Sequence, residues 1–398
     1  MTDSPETQKP EALVLYGANW CGDCRRAKKF LGEQRIHYRW VDITDNDEAI
    51  TFVEKMNDGK RRIPTLQLAD GRVLSNPDNA TLADALGLNT SAKLDYYDVI
   101  LIGSGPAGLT AALYLAREGL EVLVVEKSGL GGQTGITDRL DNFPGFPEGV
   151  TGEDFAQRLV SQARRFGVEI LEAQAVTDIR VEGESRYIET ADGQVYGAKA
   201  VILATGSTYR RLEVNGEEEL IGAGVHFCAT CDGPFYKEKT VAVVGGGNSA
   251  AEESLFLTRF ASKVVLLVRG DALKTSPLVI EKVENHPKIE VRYGTQVQGL
   301  QGKNRLEALI VTGPDGDETL NPEALFVFIG LSPNSSWVPE TVKKNDWGFI
   351  CTDKTLMSSV PGIFAAGDVR AGATHQAASA AGEGATVALM VREYLKEH

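Results

Sequence analysis

Positive charge is in short supply in this chain. Its 41 Lys and Arg residues face 55 Asp and Glu, a net charge of −14 over 398 residues. That balance repels a phosphate backbone and removes nucleic acid from the expected partners. Long hydrophobic runs are missing too. No stretch is long and apolar enough to span a bilayer, and the opening Met1-Thr2-Asp3-Ser4-Pro5 is acidic and polar where a signal peptide is basic and then apolar. The sequence therefore predicts a cytoplasmic protein with no membrane partner. Cysteine is scarce: there are five, too few for a disulfide-stapled scaffold of this length. Four of the five fall into two Cys-x-x-Cys pairs, Cys21-Gly22-Asp23-Cys24 and Cys228-Ala229-Thr230-Cys231. In a reducing compartment such pairs read as catalytic or metal-binding. They stand much farther apart than the pairs of a zinc ribbon, so no metal is expected. Cys351 has no partner cysteine and no basic neighbours, and reads as a small strand residue.

Two dithiols on one chain imply an electron relay. The first follows the apolar run 12–16 and precedes a helical pattern over 24–34, which places Cys21 at a helix N-terminus beside Arg25, Arg26, Lys28 and Lys29. Both a helix N-terminus and nearby cations lower a thiol pKa. The basic cluster reads equally as a solvated helix face or as an attraction for an anionic thiol. Residues 1–88 show strand candidates at 13–16, 37–42, 65–68 and 72–74 and helices at 24–34 and 48–56, ending in a hairpin-like run. The polar stretch 89–95 reads as a linker that, extended, spans about 25 Å.

Beyond it the alternation restarts. A continuous apolar strand over 97–103 opens into Gly103-Ser104-Gly105-Pro106-Ala107-Gly108 and a helix, and a second strand over 121–125 ends at Glu126. Strand, glycine turn, helix, strand and acid together make a dinucleotide fingerprint, with Glu126 placed for a ribose. The same grammar recurs at Thr240 to Val244 followed by Gly245-Gly246-Gly247-Asn248-Ser249-Ala250, with a helix expected over 251–260. The next strand ends at Arg269, a cation that suits a 2′-phosphate and points to NADPH. Gly367-Asp368 stops a further short strand, as a cofactor-hydroxyl ligand or as a plain turn.

From about Tyr97 onward these motifs resemble the low-molecular-weight thioredoxin reductases. The residues that carry the resemblance are the two glycine fingerprints, Gly131-Gly132-Gln133, Asn142-Phe143-Pro144-Gly145, Ala204-Thr205-Gly206, Cys228-Ala229-Thr230-Cys231-Asp232-Gly233 and Gly367-Asp368. Residues 1–88 resemble glutaredoxins, nearest the mycoredoxin branch, through Trp20-Cys21-Gly22-Asp23-Cys24 and Ile63-Pro64-Thr65. The resemblance implies an α/β fold: a thioredoxin-fold domain, a linker over 89–95, then an FAD domain over 96–211 and 331–398 split by an inserted NAD(P)H domain over 212–330. It implies FAD contacts at the first fingerprint, Glu126, Gly132, Gln133, Asn142, Thr205, Gly206, Gly367, Asp368 and His375-Gln376-Ala377. Nicotinamide contacts are implied at Gly245, Gly247, Asn248, Ser249, Ala250, Arg269 and Lys274. Cys231 faces the flavin, Cys228 attacks the acceptor disulfide and Asp232 is the acid/base. Cys21 is the nucleophile, Cys24 resolves, and Ile63 with a cis Pro64 receives the substrate. A homodimer is implied as well.

Departures from the family pattern shape the expectation. Val268-Arg269-Gly270 and Lys274 keep two cations where the family has a His-Arg-Arg triplet and a later Arg, so NADH remains possible beside NADPH. His375 replaces the arginine of an Arg-Gln-Ala motif. The leading expectation is a disulfide reductase passing electrons from NAD(P)H through FAD and Cys228–Cys231 to Cys21–Cys24, and on to a protein or low-molecular-weight disulfide. Two alternatives accompany it: a peroxiredoxin-reducing flavoprotein, and a redox-regulated FAD protein with little nicotinamide turnover.

Overall fold

A computed structural model describes residues 13–137, 139–140, 142–303 and 305–397, with the side chains of Thr230 and Cys231 left outside the description. The reading of the first residues as lacking a leader, and the orientation expected for the Cys231 thiol, lie outside the described residues.

The strand Leu13–Gly17 is buried at every position because it is central. It runs parallel to Tyr38–Asp42 on one side and antiparallel to Thr65–Gln67 on the other, with Val73–Ser75 at the edge. Alternation then sorts its side chains: Leu13 and Leu15 meet Ala27, Phe30 and Leu31 on one face, and Val14 and Tyr16 meet Ala49 and Val53 on the other. The helix Gly22–Glu33 thus covers one face and Asp47–Met56 covers the other. The hairpin-like run read at 65–68 and 72–74 is the antiparallel pair Thr65–Gln67 and Val73–Ser75, and a third helix, Asn79–Ala85, which the sequence reading did not include, follows it. Asp78 caps it by accepting from the Thr81 N–H, and only Leu82 and Ala83 are buried, too few apolar positions for a periodic signal. The stretch 89–95 is not a free span. Asn89 donates to Ile170 O and accepts from Glu172 N, Lys93 N donates to Glu169, and Leu94 N donates to the Tyr97 hydroxyl. Its polar residues pin the chain to a sheet edge.

The second unit is built on the parallel strands Glu169–Leu171, Val122–Val125, Tyr96–Ile102, Val195–Leu203 and Ile363–Ala365, extended by the antiparallel Ser185–Thr190 and Val176–Glu182. The chain leaves it through Ser207–Tyr209 and returns through Leu331–Pro333, which pair antiparallel. Between these crossings lies a second parallel sheet, ordered Val225–His226, Ala324–Val327, Thr240–Val244, Lys263–Leu267 and Ile289–Arg292. The helix after its glycine turn is Asn248–Leu257, three residues earlier than read, because Gly247 serves as its N-cap and helical geometry starts at once.

The C-terminal helix Ala377–Glu397 packs on the helix Pro106–Arg117 at its first turn. A Cβ placed at Gly384 would lie 2.3 Å from the Ala107 carbonyl oxygen, so the two backbones meet with no room for a side chain. Gly384→Leu should therefore lower stability by about 3 kcal/mol. The check is urea unfolding of the full chain followed by far-UV dichroism; an unchanged midpoint contradicts this packing.

Candidate active site

Cys21 is the N-cap of the helix Gly22–Glu33, and its Sγ accepts from the Cys24 N–H at 3.1 Å. It is 3.9 Å from the Ile63 carbonyl oxygen, and the Ile63–Pro64 bond is cis. A cleft opens here between Trp20, Cys21, Arg61, Arg62, Ile63 and Asn76. The cations expected beside Cys21 are engaged by other partners, Arg25 while remaining next to it. Arg25 donates to the Asn19 and Trp20 carbonyls, Arg26 to the Pro77 carbonyl, and Lys28 sits 3.3 Å over the Trp40 ring. Arg62 also lines this cleft, exposed and without a side-chain partner among the described residues. Sequence reading missed it because Arg62 reaches the cleft through the fold, forty-one positions from Cys21. The two thiols are unequal. Burial, then the hydrogen bond and charge of Cys21, push the Cys24 thiol up to about 12.

The first glycine fingerprint forms a cradle at the start of the helix Pro106–Arg117. Gly105 is its N-cap and supplies no side-chain cap, so the first-turn amides face outward. A Cβ at Gly108 would lie 2.0 Å from the Gly103 oxygen, which fixes how closely the turn folds on itself. At the neighbouring strand end Glu126 is buried and accepts from the Ser104 and Ser128 N–H and hydroxyl groups. Gly132 closes the cradle, its built Cβ 3.0 Å from Gly105 Cα, and Gln133 beside it is exposed. Distant motifs converge on the same end of the sheet. Thr205 and Asn334 exchange hydrogen bonds through Thr205 Oγ1 and Asn334 Nδ2 next to Gly206, and Asn142 donates to Gln376 at 3.2 Å. Gly367 N donates to Glu383, which also binds Arg370, and this holds the Gly367-Asp368 turn. His375 adopts φ +52°, and its Nδ1 is buried without a hydrogen bond, 3.7 Å from Asp368. An uncapped helix start, a side-chain-free cradle and an orphaned ring nitrogen fit a bound dinucleotide.

In the inserted unit Gly245 lies at the strand end with φ +146°, and a Cβ there would meet the Phe328 oxygen at 2.4 Å. Lys274 N donates to the Gly246 carbonyl at 2.7 Å, which ties that residue to the glycine turn. Asn248 accepts from Thr275 on the same side, Ser249 is exposed beside it, and Ala250 is buried beneath. Arg269 and Lys274 are both exposed and unpaired among the described residues, as a phosphate site requires.

Cys228 is disulfide-bonded, whereas Cys21, Cys24 and Cys351 are free. The short helix Ala229–Asp232 brings Asp232 beside His226: Nδ1 lies 3.5 Å from the carboxylate and Nε2 2.7 Å from the Tyr236 hydroxyl. Sequence reading did not single out His226, although it stands two positions before Cys228. Tyr209 stacks on Phe227, next to this segment. Its hydroxyl is pushed up to about 12 by burial and then by the carboxylates of Asp368, Asp232 and Glu253.

Residues 97–384 match the model of the pyridine nucleotide-disulphide oxidoreductases, and residues 13–73 match glutaredoxin. The chain belongs to the pyridine nucleotide-disulphide oxidoreductase family. It is 39% identical over 306 residues to a thioredoxin reductase of Listeria monocytogenes, covering 76% of this chain and 94% of that protein. It is 41% identical over 311 residues to the bifunctional thioredoxin reductase/thioredoxin of Mycobacterium leprae, covering 77% of this chain and 68% of that one. The thioredoxin reductase of Streptococcus pyogenes superposes with a TM-score of 0.72 at 35% identity, over 76% of this chain and 99% of its own. The Lactococcus lactis enzyme in its FR conformation gives 0.55 at 33% identity, over 76% of this chain and 100% of its own. The family pairs a flavin with a nicotinamide nucleotide and works on disulfides, so this chain is a thioredoxin reductase-like oxidoreductase with an α/β glutaredoxin domain attached.

The suppressed acidity of the Cys24 thiol has a direct readout. In the reduced chain Cys24, buried and with its proton held up to about 12, should stay unmodified by iodoacetamide until the pH approaches that value. Peptide mass mapping checks this, and labelling of Cys24 near neutral pH contradicts it.

Proposed function

We propose that this chain is an FAD- and NADPH-dependent disulfide reductase whose electrons leave through its own Cys21–Cys24 dithiol, toward a protein or low-molecular-weight disulfide. One observation carries the reading: a disulfide-bonded Cys228 and a free, inequivalent Cys21–Cys24 pair coexist on one chain. The relatives named thioredoxin reductase, and the Mycobacterium leprae fusion of reductase with thioredoxin, support it.

The first-turn amides of Ala107 and Gly108 after Gly103, Gly105 and Pro106 would hold the flavin nucleotide's phosphates, and Glu126 its ribose. Gly132, Gln133, Asn142, Thr205, Gly206, Gly367, Asp368, His375, Gln376 and Ala377 would line the remainder. Gly245, Gly247, Asn248, Ser249 and Ala250 would hold the second nucleotide, with Arg269 and Lys274 at its 2′-phosphate. When bound, the two cofactors supply the electron pair that keeps Cys228 and Cys231 reduced.

The Cys228 thiolate attacks the Cys21–Cys24 disulfide, and Cys231 then closes back on Cys228, leaving the first dithiol reduced. Asp232, held beside His226, moves the thiol proton. Cys21 next attacks the external disulfide and expels one of its thiols. Capture of Cys21 in that mixed disulfide removes the charge and hydrogen bond that help suppress Cys24, so Cys24 gains acidity when it must attack Cys21 and release the second thiol. The same proposal includes rotation of the inserted unit about the paired crossings at 207–209 and 331–333, beside Gly330 at φ +107°. It also includes assembly as a homodimer in the cytosol.

Arg269→Ala should raise the KM for NADPH about tenfold and leave the KM for NADH within about twofold, since the lost contact is to the 2′-phosphate alone. Steady-state kinetics with both nucleotides decides this; equal effects remove Arg269 from the site. Cys21→Ser should abolish reduction of the external disulfide while NADPH still bleaches the flavin in a stopped-flow trace, and Cys228→Ser should block the same output one station earlier. Native turnover in the Cys21→Ser chain would make the glutaredoxin domain a docking module.

A further inference from the structure

The helix Gly22–Glu33 ends in a motif built for glycine. Ile36 N donates to Leu31 O and Arg35 N to Gly32 O, the paired bonds of a Schellman ending, and the residue at the left-handed position is Arg35 with φ +56°. A bulky residue held in that region calls for a compensating role. The Arg35 side chain leaves its own domain. Its guanidinium donates to Leu130 O at 2.6 Å and to Gly132 O at 2.5 Å, in the loop after Glu126.

The rest of the contact is shaped around it. Gln34 donates to Lys127 O and Gly129 N donates to Glu33 O, which adds two more bonds between the same segments. A Cβ at Gly129 would lie 2.7 Å from Arg35 Cδ, and one at Gly135 would lie 2.0 Å from Arg35 Nη1, so both glycines leave space for this arginine. Glu126 is close enough for its charge to oppose the desolvation of Arg35. Gly132 in turn abuts Gly105 Cα at the N-cap of the cradle. Ala173 from the flavin-side unit packs against the glutaredoxin core nearby.

We propose that Arg35 is a positioning residue that clamps the glutaredoxin domain onto the Lys127–Gly135 loop and couples the docking of that domain to FAD binding. The coupling rests on the flavin reading of this cradle. The clamp sits at the opposite end of the helix from Cys21, about 18 Å away by helical rise over 12 residues. It therefore holds the domain still without covering the dithiol. Two states follow. With Arg35 seated, the loop that carries Gly132 and Gln133 is held against Gly105; with Arg35 withdrawn, the loop and the domain are both released. FAD that favours the seated loop must favour docking by the same factor, and docking must favour FAD in return.

Arg35→Gly tests this in the full chain, because glycine suits the left-handed backbone and spares the fold of the domain while deleting the clamp. FAD would be titrated into cofactor-stripped protein by flavin fluorescence, and cleavage within 86–96 followed by limited proteolysis with and without FAD. The expected result is an FAD Kd about tenfold higher in Arg35→Gly and loss of the FAD-dependent protection seen in wild type, with Arg35→Lys recovering most of both. A Kd within about twofold of wild type together with retained protection would overturn the clamp while leaving the flavin reading intact. Failure of the wild-type chain to bind FAD would overturn that reading and the clamp together.

Discussion

Everything in the flavin-side unit depends on the absence of side chains around one helical turn. The start of the helix Pro106–Arg117 is approached by the Gly103 turn, by the Gly367 turn and by Gly384 of the C-terminal helix, and a Cβ at Gly108, Gly367 or Gly384 would lie within 3 Å of another atom. Close approach lets three separate segments, 103–108, 367 and 384, meet at one point, and it leaves the uncapped amides of that turn exposed to a ligand rather than to a side chain. The cradle and the core are consequences of the same packing. The dinucleotide proposed for this cradle would be held by backbone that cannot move without disturbing the sheet.

The glutaredoxin domain uses a helix in a comparable way, with different work at each end. At its start Cys21 takes the N-cap position and accepts from the Cys24 amide, which sets Cys21 at the cleft with Cys24 more deeply buried behind it. At its end a left-handed arginine reaches into the neighbouring unit. Helix geometry keeps the two ends apart, so a domain anchored firmly at one end still presents its dithiol at the other. In the proposed relay the moving part is the inserted unit, joined to the flavin-side sheet by two short paired strands. Half-buried Tyr209, on the outgoing crossing strand, stacks on Phe227 just ahead of the dithiol, and burial and then the carboxylates of Asp368, Asp232 and Glu253 push its hydroxyl up.

The sequence by itself determined the α/β class, the two nucleotide-turn grammars, the Cys-x-x-Cys pairs and the acidic and basic residues at strand ends. These are local matters: period-2 burial, glycines where a strand must turn sharply into a helix, and a cap where a helix begins each leave a mark within a few residues. The tertiary structure alone decided what those residues face. Arg25 and Lys28 read as partners of Cys21 until the fold spent them on nearby carbonyls and the Trp40 ring, and Arg62 entered the cleft from a distant loop. The polar stretch 89–95 reads as a spacer because its partners Glu169 and Glu172 lie some eighty positions later. Arg35 carries no local signal, since the only sign of its role is a carbonyl pair in another domain. Local sequence records the conformational preferences of a segment, whereas hydrogen-bond partners and burial are fixed only when remote segments pack together, and there the chemistry of this chain was settled.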